Sequence, residues 1–97
     1  MTVTTYIIQS SEMRYDNWTP WSCVSPQYPT LAGARLHFAD MRSSRYFPIR
    51  VRLARVTTAW EQIPDVRCHY NAGSRLRVIA SKRLRCYQNL KQRELLT

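Results

Sequence analysis

The chain has 97 residues, 44% hydrophobic and 11% aromatic, with 15 Lys and Arg against six Asp and Glu for a formal net charge of +9. That length allows one domain plus an appended arm but not two independent cores, and the aromatic share excludes a wholly disordered chain. A charge of this sign disfavours DNA mimicry, which needs an acidic surface, and attracts acidic partners: nucleic acid, an anionic membrane or an acidic protein patch.

The amino terminus, MTVTTYIIQS, lacks the basic start and apolar run of a secretory signal, and no apolar stretch reaches membrane-spanning length. Within it VTTYIIQS, Val3 to Ser10, is rich in β-branched and aromatic residues and reads as a strand, followed by a turn near Asp16-Asn17. In WTPWSCVS, Trp18 to Ser25, Pro20 stands between two tryptophans and restricts the segment to an irregular edge strand. Pro26 and Pro29 then mark a loop.

Thr30 is placed to cap a helix through LAGARLHFADMRS, with Leu31, Ala34, Phe38 and Met41 on one apolar face. YFPIRVRLARV, Tyr46 to Val56, is the clearest strand: Ile49, Val51 and Leu53 alternate with Arg50 and Arg52, so one side faces a core and the other displays arginines. TTAWEQI, Thr57 to Ile63, either extends that strand or returns as a hairpin. The expected fold is α+β, a small two-layer strand-strand-helix-strand domain over residues 1–63.

Pro64 and the Asn-Ala-Gly run mark residues 64–74 as a linker. Residues 75–97 read as a basic amphipathic helical arm with Ser74 as its cap. Leu76, Ile79, Ala80, Leu84, Tyr87, Leu90 and Leu95 share one side, and Arg75, Lys82, Arg85 and Arg93 point elsewhere. From Val66 onward eight basic residues face Glu94 alone, so the charge is concentrated in this arm. Its apolar stripe must either return to the domain's own sheet or dock on a partner. For docking, Arg75, Arg77, Arg83 and Arg85 would meet acidic groups, and Leu84, Tyr87 and Leu90 would fill apolar pockets between them.

The materials for catalysis are scarce, because Glu12, Asp16, Asp40, Glu61, Asp65 and Glu94 are the only carboxylates and no two show an acid-base spacing. Cys23, Cys68 and Cys86 form no CxxC pair, and adjacent Cys68-His69 is not a zinc-ligand spacing. Reduced thiols in a cytosolic protein follow from that pattern. No glycine-rich phosphate cradle is present, so no cofactor is expected. Basic residues interleave with aromatics in RYFPIRVR and RLRCYQNLK, a pattern suited to phosphate contact and base stacking.

The head, YDNWTPWS with TLAGARLHFADMR and YFPIRVRLARVTTAWEQI, resembles small strand-strand-helix-strand domains encoded by bacteriophages. The whole chain, head and basic tail together, resembles the small anti-RecBCD accessory proteins of lambdoid phages of Salmonella. The resemblance implies a non-enzymatic modulator in the host bacterial cytoplasm that binds the RecC subunit of the host RecBCD helicase-nuclease. It would protect phage DNA ends and favour phage recombination, with contact to DNA as well as enzyme compatible with the charge. Two other readings stand beside it: a sequence-nonspecific nucleic-acid-binding protein, and a phage antagonist of another host defence. The five prolines also make a host prolyl isomerase a conceivable helper.

Overall fold

The computed structural model describes residues 1–43, 47–63 and 69–86. Their elements are, in chain order, β1 (Thr2–Arg14), β2 (Asn17–Trp18), β3 (Ser22–Cys23), α1 (Leu31–Asp40), β4 (Ile49–Gln62) and β5 (His69–Leu84). All strand pairs are antiparallel, in the order β2-β1-β4-β5, with β3 also on β1. The described residues are therefore mostly antiparallel sheet with one short helix, and the expected strand-strand-helix-strand domain with a helical arm is incorrect.

The amino-terminal elements follow their local signals. β1 and β2 form a tight hairpin through Tyr15 and Asp16, whose φ values of 50° and 65° belong to the mirror-image turns that match the twist of paired strands. β2 and β3 are two-residue pieces on either side of Pro20, and they pair with separate stretches of β1. Thr30 caps α1, its side chain accepting the Gly33 amide at 3.3 Å. The segment TTAWEQI extends β4 rather than turning back.

α1 lies on β1 and β4, and the core forms beneath it. Ile8, Ala34, Val51 and Leu53 are buried there, with Tyr6, Leu31, Phe38, Met41, Ala80 and Leu84 packed around them. Full burial of a side chain such as Ile8 or Leu53 contributes about 1.5–3 kcal/mol. Strand alternation assigns the faces: Tyr6, Ile8, Val51, Leu53, Ala80, Lys82 and Leu84 share the helix side, whereas Gln9, Ser11, Arg50, Arg52 and Arg83 share the other. Lys82 closes the helix side by donating to Met41 O at 3.0 Å and Ala39 O at 3.4 Å, satisfying carbonyls that the end of a helix leaves open.

Over its described part, residues 75–86, the helical arm fails for a physical reason; residues 87–97 lie outside the described residues. β4 runs to Gln62 and needs a partner for its outer row of amides and carbonyls; β5 supplies it from His69 to Leu84. Helix propensities differ by only tenths of a kcal/mol per residue, so this ladder overrides them. A register shift at Leu53/Ala54, where β5 carries Ile79 as an extra residue, also spoils the period of two. The apolar positions Leu76, Ile79, Ala80 and Leu84 then look helical although they belong to a bulged strand.

Candidate functional site

The two tryptophans of WTPWS and the arginines of β4 meet on the face opposite α1. The segment from Trp18 to Trp21 folds back along β1: Thr19 donates its amide to Glu12 O at 2.8 Å, its Oγ1 accepts the Glu12 amide at 2.9 Å, and its carbonyl accepts the hydroxyl of buried Ser11. These bonds hold both indoles against the strands. The Arg83 guanidinium then lies 5.2 Å from the Trp18 ring, Arg50 lies 4.6 Å from Trp18 and 4.8 Å from Trp21, and Arg52 lies 4.2 Å from Trp21.

The result is an alternating ladder, Arg83, Trp18, Arg50, Trp21, Arg52, running across β5 and β4. Each contact of this kind is worth about 0.5–1 kcal/mol when exposed and about 2 when desolvated. Arg52 is also fixed by donation of Nε to Gln9 Oε1 at 2.7 Å, whereas the buried Nε of Arg50 has no hydrogen-bond partner among the described residues. Arg14, at a β1 position that alternation assigns to the helix side, makes a separate contact 4.7 Å from the Phe47 ring.

Carboxylates do little to neutralise this face. Among the described residues the single ion pair joins Arg14 to Glu12 at 2.9 Å, and Glu61 accepts the Tyr70 hydroxyl at 2.6 Å near the far end of the β4–β5 hairpin. No group of three metal-ligating side chains is assembled among the described residues. His37 shares a hydrogen bond with the Tyr28 hydroxyl, Cys23 is exposed, and Cys68 lies outside the described residues. A cleft of about 370 Å³ opens on the helix side, lined mainly by apolar groups including Val24, Met41, Ile49 and Leu84. No helix among the described residues is long and apolar enough to cross a membrane.

The residues picked from the sequence are dispersed rather than gathered. Arg75, Arg77, Arg83 and Leu84 are on β5 instead of a helix, Arg85 follows it directly, and Tyr87 and Leu90 lie outside the described residues. Leu84 packs into the core beside Val51 and Leu53, so it faces the protein's own interior rather than a partner. Arg77 stands opposite Arg55 on the helix side, and Arg83 stands opposite Arg50 on the other. The bulge at Ile79 causes this division, because one extra residue reverses which face every later side chain occupies.

Sequence reasoning missed Trp18, Trp21 and their registry with Arg50 and Arg52. The signal was available in two halves, a WxxW segment and an RxR alternation, but nothing local shows that they stack. No protein family, curated protein or solved structure matches the chain.

Proposed function

We propose that this is a non-enzymatic nucleic-acid-binding protein that grips backbone phosphate through the arginines of its sheet, without reading sequence. The observation that carries this reading is the ladder face, where Arg50, Arg52 and Arg83 are held in fixed positions by indoles rather than by carboxylates. A guanidinium held over a ring keeps its charge and in-plane donors, so phosphate can approach its edge. Successive arginines on one face of a strand are about 6.7 Å apart, a regular row of cations. Trp18 and Trp21 each already lie against two guanidinium groups, which favours phosphate contact over base stacking as the source of affinity.

The test is fluorescence anisotropy with a labelled single-stranded oligonucleotide of mixed sequence, repeated over a salt series. Affinity should fall log-linearly with salt, and each arginine removed from the set Arg52 and Arg83 should reduce the slope by about 0.7. Absence of binding at low salt, or affinity indifferent to salt, sinks the reading.

A second reading retains the phage resemblance, with the host RecBCD enzyme as target through RecC. The observation that favours it is on β5, the last described strand of the sheet, where Leu76 and Val78 are 44% and 45% exposed on the same face as Arg83. Exposed apolar side chains among arginines suit a protein surface better than they suit phosphate. A pull-down from nuclease-treated bacterial lysate, washed at high salt, separates the two. Retention of RecBCD subunits supports the modulator; their absence, with oligonucleotide binding intact, supports the nucleic-acid binder.

A further inference from the structure

The sheet carries a second arginine cluster, and it faces the opposite way from the ladder. Arg55 on β4 and Arg77 on β5 are directly opposed in register, with Tyr6 of β1 on the other flank of Arg55 and Arg75 one step further along the same face. Directly opposed like charges destabilise a sheet unless something neutralises them. Among the described residues neither indoles nor carboxylates do so. Glu61 is the nearest acidic position along that face of β4, four residues beyond Thr57, and it is engaged by the Tyr70 hydroxyl. The buried Nε of Arg55 has no hydrogen-bond partner among the described residues, while Arg75 and Arg77 are exposed.

The division between the two faces originates in one residue. In an unbroken strand Arg75, Arg77, Arg83 and Arg85 would share a side, forming a single broad basic surface. Ile79, inserted opposite the Leu53/Ala54 step, instead sends Arg83 to the ladder face and leaves Arg75 and Arg77 on the helix side. The buried core of α1, Ile8, Val51 and Leu53 lies on that side next to Arg55 but not over Arg75 and Arg77.

Resting on the nucleic-acid reading above, we propose that Arg55, Arg75 and Arg77 form a second phosphate-binding site, so that one molecule holds two nucleic-acid segments, one on each face of the sheet. The sheet itself separates the clusters, so a single phosphate cannot neutralise both. A chain with two such faces bridges strands, raising the effective concentration of one segment near another.

The test uses the full chain and two oligonucleotides of non-complementary sequence, one immobilised on a sensor surface and one labelled and free. After the immobilised strand is saturated with protein, the wild type should capture the free strand. Arg75→Ser/Arg77→Ser should still bind the immobilised strand through the ladder but lose capture of the second by about tenfold or more. Arg52→Ser/Arg83→Ser, which leaves the second cluster intact, should likewise bind one strand and fail to bridge. Sedimentation of the same samples reports the oligomeric state. Capture that persists in both double variants, or that occurs only where the protein dimerises, overturns the two-face proposal. So does a wild type that binds one strand and never a second. A wild type that binds no oligonucleotide removes the nucleic-acid reading as well, an outcome distinct from loss of bridging alone.

Discussion

Arg50 and Arg83 stand directly opposite each other on β4 and β5, and Trp18 lies against both guanidinium groups, 4.6 Å from one and 5.2 Å from the other. The indole therefore offsets a repulsion that the strand register imposes. Replacing it exposes that repulsion. Trp18→Ala should lower stability by about 2 kcal/mol, counting the lost cation–π contacts and apolar cover. The loss should shrink as salt is added, because screening weakens the Arg50–Arg83 repulsion. Denaturant titrations at low and high salt measure it; a loss independent of salt would mean that the indole acts through packing alone.

Lys82 joins the last described strand to the helix, reaching the carbonyls of Ala39 and Met41 and lying 4.8 Å from the Phe38 ring. A cation at the carboxyl end of a helix is stabilising there. Lys82→Ala should cost about 1 kcal/mol, and Lys82→Arg, which keeps the charge, should recover part of it. Thermal melts of the two variants give the comparison, with equal losses counting against a charge effect.

Gly73 has φ of 151° beside the second register shift of β5, and its amide donates to Asn71 Oδ1 at 2.9 Å. A Cβ at this position would meet no atom within 4 Å, so the cost of a side chain is purely conformational. Gly73→Ala should destabilise by about 1 kcal/mol or more. Hydrogen exchange should show the weakening around Trp60 and Asn71 while the amides beneath α1 keep their protection.

The Tyr70 phenol is held above its ordinary pKa of 10.0, first by its hydrogen bond to Glu61, then by the charge of that carboxylate, and least by desolvation. A raised folded-state pKa means that this bond supports the hairpin fully below the ordinary phenol value. The support is lost as pH rises through the higher folded value. A tyrosinate absorbance or NMR titration should place Tyr70 above the ordinary phenol value, and Glu61→Gln should bring it down. An unchanged Tyr70 midpoint in Glu61→Gln would remove the carboxylate as the cause.

Much of the amino-terminal architecture was legible because its signals are local. Thr30 precedes an apolar face at helical spacing, and Ile49, Val51 and Leu53 alternate with Arg50 and Arg52; each pattern is complete within a few residues. The arginine-bearing side of β4 was legible for the same reason. Its partner indoles were not, since Trp18 and Trp21 reach it only through the fold-back of Thr19 onto Glu12.

By itself the sequence determined the excess of positive charge, the scarcity of carboxylates, the capped helix and the alternating strand, because composition and short periodicities are properties of neighbouring residues. Only the tertiary structure decided that residues 69–84 form a strand, and on which face each arginine falls. The open edge of β4 supplied a hydrogen-bonding partner that no local window contains. The single extra residue at Ile79 then turned one row of arginines into two opposed clusters.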